Sequence, residues 1–174
     1  GEVLATTKAT AELANVTEWN LIDDHHHLRR SLRSQRLAMY AGDACDAVLP
    51  ELDPHPASYE AVGQLLRGLA NPAEADVAVL VFQWALLMDS GFKPELERDV
   101  HTGETMELDA TRGGELAFDP VAGGLTRRQG PGAWKMRRST AVLLRDIDAR
   151  RGGLPESAPS DAVQRANRLL CSFL

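Results

Sequence analysis

The stretch NPAEADVAVLVFQWALLMDSGFKP, residues 71–94, decides the fold. Asn71 is placed to cap a helix, Pro72 falls at its first position and Glu74 at its third, a capping box with Asn in place of Ser or Thr. The body that follows, VAVLVFQWALLM, is apolar nearly all round. That pattern belongs to a central helix buried by its neighbours, not to one lying on a surface. A buried strand is the competing reading for VAVLVF, but the full length of the run favours a helix. Gly91 is placed to end it in a left-handed cap, and Pro94 prevents its resumption.

Working outward, the covering helices are visible by their periodicity. From about Asp23 to Leu49 the chain reads as one long helix, with Leu28, Leu32, Met39, Tyr40, Ala44 and Val48 on i/i+4 rows. Asp23 and Asp24 suit the positive end of its dipole, and Pro50 suits its stop. ELDPHP is a turn, after which Tyr59, Val62, Leu65, Leu66 and Leu69 predict a second amphipathic helix. Downstream, Trp134 to about Ala149 predicts a basic amphipathic helix carrying Met136, Val142, Leu143 and Ile147. GGLPESAPS is a loop, and Ser160 can cap a last helix lined by Val163, Ala166, Leu170 and Phe173. The opening EVLATTKATAEL is short and β-branched. It predicts a lone strand, which needs partner strands from upstream. A first residue Gly1, not Met, and an end at Leu174 inside an apolar face lead us to expect a piece of a longer gene product.

At 174 residues and 44% hydrophobic, the chain has enough apolar material for one domain with a real core. Cys45 and Cys171 have no CxxC partner and sit in helical patterns, so we expect two buried thiols in a reduced, cytosolic chain. No apolar run reaches membrane-spanning length and no secretory signal opens the chain. The net charge of −6 hides an asymmetry. Residues 43–119 hold 16 acidic against 4 basic side chains, whereas residues 127–151 hold 8 basic against 2 acidic. Segregation of this kind points to an anionic partner on one face, or to salt bridges between the two segments.

Several constellations resemble chemistry. In DDHHH, residues 23–27, adjacent histidines fan out around a helix, so only Asp23 or Asp24 with His27 can share a face. A solvated helix start is the favoured reading; the enzymatic alternative is a metal-dependent hydrolase using Asp23, Asp24 and the neighbouring histidines. No nucleophile elbow, P-loop or dinucleotide fingerprint appears. Trp19, Trp84 and Trp134 are expected as core or interface anchors.

Between the third and fourth predicted helices lies RDVHTGETMELDATRGGELAFDPVAGGLTRR, residues 98–128. Its two turn-rich knuckles and short alternating strands are spaced like a small metal ribbon, yet it has no cysteine. The order LPELDP (49–54), Tyr59, Phe82, Leu86–Leu87, GFKPEL (91–96), Gly103, AFDP (117–120) and Gly123–Gly124 resembles the C-terminal helical region of the RecO family of bacterial DNA-repair and recombination mediators. The similarity runs over nearly all of residues 15–174. Aligned on Gly103 and Gly123–Gly124, the positions of zinc-binding cysteines in many relatives are Asp99, Thr102, Arg127 and about Gly130. Only Asp99 is a plausible ligand there, so no zinc or other cofactor is expected, and an Asp99–Arg127 ion pair is expected to replace part of the cross-link. Leu108, Leu116 and Phe118 should pack, and Asp119–Pro120 should fix a turn.

The resemblance implies a mainly α fold: a helical bundle with a β-hairpin insert at about residues 98–131, a degenerate zinc ribbon. Residues 1–18 would be the remnant and linker of an N-terminal OB-fold, and residues 19–174 the helical domain. It implies a non-enzymatic mediator that anneals strands and helps load RecA, with RecR, often RecF, the acidic tail of single-strand-binding protein, and single- and double-stranded DNA as partners. It implies a cytoplasmic, nucleoid-associated protein with no membrane contact. A diverged helical adaptor without DNA partners is the other non-enzymatic reading. For an anionic partner the residues point to Arg127, Arg128, Lys135, Arg138 and Arg145, the last three expected on one helical face. Arg29, Arg30, Arg33 and Arg36 form the rival surface.

Overall fold

The computed structural model describes residues 1–7, 14–109, 114–155 and 158–174. In chain order the elements are β1 (Glu2–Thr6), β2 (Asn15–Asn20), a 3-10 turn (His26–Arg30), α1 (Leu32–Val48), α2 (Pro56–Gly68), α3 (Ala75–Asp89), β3 (Glu115–Asp119), β4 (Gly124–Thr126), β5 (Trp134–Arg137), α4 (Arg138–Ala149) and α5 (Ser160–Phe173). The protein is mainly helical, with two small antiparallel sheets.

The expected central helix is α3, and its apolar circumference has a specific use: two cores share it. Leu80, Trp84 and Leu87 face a core built with the insert, α4 and α5. Val79, Phe82 and Leu86 face a second core built with α1 and α2. A helix with apolar residues on one side could close only one of them. Asn71 and Glu74 do meet, Asn71 Nδ2 donating to Glu74 Oε1 at 2.7 Å while Asn71 Oδ1 accepts from Ala73 N at 3.1 Å. They organise a turn ahead of α3, which begins only at Ala75. Gly91, at φ 80, ends the helix as expected.

Polar side chains pin the helices together. Gln83, buried in α3, donates to the Tyr40 hydroxyl on α1 at 2.8 Å and to the Asn167 carbonyl on α5 at 3.4 Å. Asn167 Nδ2 returns a bond to the Asp76 carbonyl at 2.8 Å. Asp89, at the end of α3, accepts from both N and Oγ of Ser58 in the first turn of α2. These bonds pair the side-chain NH2 groups of Gln83 and Asn167 and the Tyr40 hydroxyl, whereas the buried Gln83 Oε1 and Asn167 Oδ1 have no partner among the described residues.

Six expectations need correction. The helix from Asp23 is broken: Ser31 turns extended and its hydroxyl accepts from Ser34 N, capping α1 at Leu32. Tyr59 lies on the outer face of α2, 74% exposed, while Ala61 and Leu65 take the core. The opening strand is not alone, since β1 pairs with β2, Val3 opposite Trp19. β2 runs across residue 18, and residues 8–13 of the expected opening strand lie outside those described. Trp134–Arg137 is a strand and not the first turn of a helix, because Trp134 and Met136 turn inward while Lys135 and Arg137 face solvent. α5 is capped by Pro159, whose carbonyl accepts from Ala162 and Val163, not by the Ser160 side chain. Lastly, the thiols are free but not deeply buried; Cys45 is half-buried against the second core and Cys171 is exposed.

The insert is correspondingly larger than a hairpin. Its sheet runs β4-β3-β5, with Phe118 opposite Leu125 on one side and Trp134 on the other. Gly124 is required by close approach: a Cβ there would lie 2.5 Å from both the Glu95 carbonyl and Val100 Cγ1. Phe118 is fully buried, Leu108 and Leu116 pack against the same core, and Asp119 Oδ1 accepts from Val121 and Ala122 N to hold the 119–123 turn.

Because both cores share α3, Phe82→Ala and Trp84→Ala should each destabilise by about 3–5 kcal/mol. Denaturant titration followed by tryptophan fluorescence and by far-UV circular dichroism should give one coincident transition for each variant. Two separated transitions would show that the cores fold independently.

Candidate functional site

Basic side chains flank a groove of about 570 Å³ between β5 and α5. Alternation along β5 sends Lys135 and Arg137 outward, and helical spacing along α5 sends Arg165 and Arg168 to the same side. Trp134, Leu169 and buried Met136 supply the apolar part of its lining. Trp134 is held in place by stacking on Phe118, ring centroids 6.0 Å apart. Arg165 is fixed by Thr140 Oγ1 and Ser139 Oγ, both at 3.2 Å, and by Asp161 at 2.6 Å. Arg137 and Arg168 have no side-chain partner among the described residues. The N-terminus of α4 opens beside them and adds the positive end of its dipole. The chemistry suits an anion that carries an apolar group.

The sequence-predicted cations divide by what they touch. Arg128 is exposed and its side chain has no partner among the described residues. Lys135 is exposed and only 3.7 Å from Glu115, a solvent-screened pair. Arg138 donates to the Glu107 carbonyl at 3.1 Å. Arg145 is half-buried and its Nη2 donates to the carbonyls of Leu96 and Met106 at 2.6 and 2.9 Å. The expected common face of Lys135, Arg138 and Arg145 is therefore not formed: Lys135 sits on a strand, and the two arginines tether the insert to α4. Arg165 and Arg168 come to the groove from the other end of the sequence. Their one sequence signal is the i, i+3 spacing on an amphipathic helix.

The rival surface is split by the Ser31 break. Arg29 and Arg30 lie on the 3-10 turn, Arg33 and Arg36 on α1, and Arg33 is paired with Asp76. The DDHHH histidines meet edge to face, the His27 ring lying 5.8 Å from that of His25 and 6.3 Å from that of His26. Asp23 and Asp24 accept from the backbone N–H groups of His25 and His26, and His27 Nε2 bonds to the Leu66 carbonyl at 2.8 Å. Among the described residues no group of three or more His, Cys, Asp or Glu is placed to hold a metal ion. A second groove, of about 590 Å³, lies where α3 and α5 end, with Val48, Phe92, Val121 and Leu174 in its lining. Its single cation, Lys93, is held by Asp148 at 2.8 Å, so nothing in it selects an anion.

In the insert, Asp99 is 1% exposed and its carboxylate is surrounded by donors. Oδ1 accepts from His101 N at 2.9 Å and Thr102 N at 3.0 Å; Oδ2 accepts from Arg127 N at 2.5 Å. The Thr126 hydroxyl bonds to it as well. These donors, Arg127 N–H foremost, hold its pKa down at about 2, against burial, which pushes the other way. A depressed carboxylate pKa means that the charged form stabilises the fold fully above the ordinary 3.8, and that this stabilisation is lost as pH falls through about 2. The expected Asp99–Arg127 ion pair is replaced by this main-chain contact. The Arg127 guanidinium instead pairs with Glu104 and donates to the Thr105 carbonyl at 3.1 Å. Thr102, Arg127 and Gly130 offer no thiolate or imidazole, and Asp99 is already saturated, so this donor set does not fit zinc.

These contacts rank two arginine truncations. Arg127→Ala removes an exposed pair and should change stability by under about 1 kcal/mol. Arg145→Ala strands two carbonyls and should lose roughly 1–3 kcal/mol by urea titration. Equal losses in the two variants would overturn the ranking.

Among the described residues no helix is long and apolar enough to cross a membrane. The family model described as recombination protein O C terminal matches residues 29–145. The chain is 37% identical over 152 residues to a DNA repair protein RecO of Rhizobium johnstonii, covering 83% of this chain and 55% of that protein. It is 29% identical over 124 residues to one of Nitrobacter hamburgensis, covering 71% and 46%, and 43% identical over 61 residues to one of Beijerinckia indica, covering 35% and 24%. The chain thus spans about half, or less, of the length of the curated relatives it matches. With two thirds of its residues inside the family match, the chain belongs to the recombination protein O C-terminal family.

Proposed function

We propose that this chain is the helical platform of a DNA-repair and recombination mediator, a binding module and not an enzyme, working in the cytoplasm at the nucleoid. The reading rests on family membership and on the names of its relatives. One observation of the protein itself carries it further. The groove between β5 and α5 sets Arg137 and Arg168, both without side-chain partners among the described residues, around the apolar surface of Trp134 and Leu169. An acidic segment with apolar side chains, such as the tail of single-strand-binding protein, would place its carboxylates on the arginines and its apolar groups on the tryptophan side. Lys135 at the groove and Arg128, which is also exposed, are cations of the kind that contact a phosphate backbone, which suits single- or double-stranded DNA. RecR is a further partner in this reading, as is participation in strand annealing and RecA loading.

In the same reading the β1–β2 hairpin is the remnant of an OB-fold. Every described residue of both strands is exposed, which suits strands whose sheet neighbours lie elsewhere in a longer protein. The main single-strand-binding surface would then belong to that fold, and this chain would contribute protein contacts and a secondary basic surface.

The test is binding of a fluorescent tail peptide and of single-stranded DNA across a salt series, for the wild type and for paired charge reversals. Arg137→Glu with Arg168→Glu should weaken tail binding by about tenfold or more and flatten its salt dependence, since fewer counter-ions are released. Arg30→Glu with Arg36→Glu should leave it near the wild-type value. Salt-independent binding, or loss only in the second pair, would move the site off the groove.

A further inference from the structure

The insert brings together two tight turns far apart in sequence, and one side chain joins them. In the first turn Asp99 N donates to the Glu104 carbonyl and Gly103 N to the Asp99 carbonyl, both at 2.8 Å. In the second, the chain leaves β4 at Thr126 and continues through Arg127. Around these turns the main chain is already zipped: Glu95 N to Gly123 O at 2.8 Å, Leu125 N to Glu95 O and Val100 N to Leu125 O at 2.9 Å. The Asp99 carboxylate lies at the closed end of that zipper. It takes two N–H groups from its own turn and one from the other, across 28 residues, along with the Thr126 hydroxyl.

We propose that the Asp99 carboxylate is the cross-link of the insert, doing by hydrogen bonds to both turns what a metal ion with ligands from both would do, so that the insert closes without metal and sets the backbone from which Arg127 and Arg128 project. Three features support it. The acceptor is buried, so each bond forms away from competing water. Its donors are N–H and O–H groups that need no charged partner, which leaves the Arg127 guanidinium free to turn to Glu104. And among the described residues the neighbouring acids are engaged elsewhere: Glu104 faces the Arg127 guanidinium, and Asp119 faces His101 Nε2 at 2.9 Å and the Val121 and Ala122 amides.

Asp99→Asn isolates the charge from the shape. An amide has one acceptor oxygen where the carboxylate has two, and its NH2 would face either the Arg127 or the Thr102 amide, donor against donor. In wild-type protein the thermal midpoint should be unchanged by EDTA or 1,10-phenanthroline, and zinc content by atomic absorption should be far below one per chain. In Asp99→Asn the midpoint should fall, and amide exchange at Thr102 and Arg127 should quicken by about tenfold or more while α3 and α5 stay protected. If that variant does not fold, Thr126→Val removes one donor only, and the Arg127 amide should again exchange faster. A chelator-sensitive wild type, or an Arg127 amide equally protected in the variant that folds, overturns the proposal.

Discussion

The constraint on which the rest depends is that α3 must be covered on two opposite sides. Its residues alternate between cores in steps set by helical geometry, Val79 and Phe82 to one side, Leu80 and Trp84 to the other. Neither α1 with α2, nor α4 with α5 and the insert, can cover it alone. The two groups of helices are consequently held to one another through this helix, and buried Gln83 fixes its rotation by reaching Tyr40 and Asn167. Burial pushes the Tyr40 hydroxyl up to about 12, which keeps it neutral in that role.

The basic groove is a by-product of how the core between the insert, α4 and α5 closes. β5 and α5 reach it from different sides: Met136 and Trp134 turn inward from the sheet, Ala166 and Leu170 from the helix. Their outward neighbours, Lys135, Arg137, Arg165 and Arg168, then line one groove without contributing to the core. Cations whose side chains are needed for packing or tethering, Arg145 above all, are withdrawn from solvent and cannot serve an anionic partner.

Much of the fold was legible in the sequence because helices announce themselves locally. The α3 run, the Gly91 cap, the amphipathic rows of α5 and the Asp119–Pro120 turn follow from spacing and residue type alone. What was missed depended on partners distant in the chain. WKMR fits both a strand and a first helical turn until Glu115–Phe118 is known to lie beside it. Ser31 reads as an ordinary helical residue unless the Asp23 and Asp24 turns ahead of it are seen to redirect the backbone. At the candidate site, residue type gave the charge of Arg127–Arg151 but not its availability, which is set by carbonyls at Leu96, Met106 and Glu107. Arg168 was invisible as a site residue for the same reason: the tertiary fold alone brings α5 to β5.

The insert is fastened chiefly through main-chain groups. Asp99 receives N–H bonds, Arg145 and Arg138 give bonds to carbonyls, and the zipper between Glu95 and Leu125 is backbone on both sides. Since every residue but proline brings the same N–H and C=O, such fastening places few demands on side-chain identity. The solvent-facing positions of the insert can therefore drift in charge and size while its shape is kept. Asp99, Gly124 and Arg145, where a carboxylate, a missing Cβ or a guanidinium is specifically used, are the points at which that latitude ends.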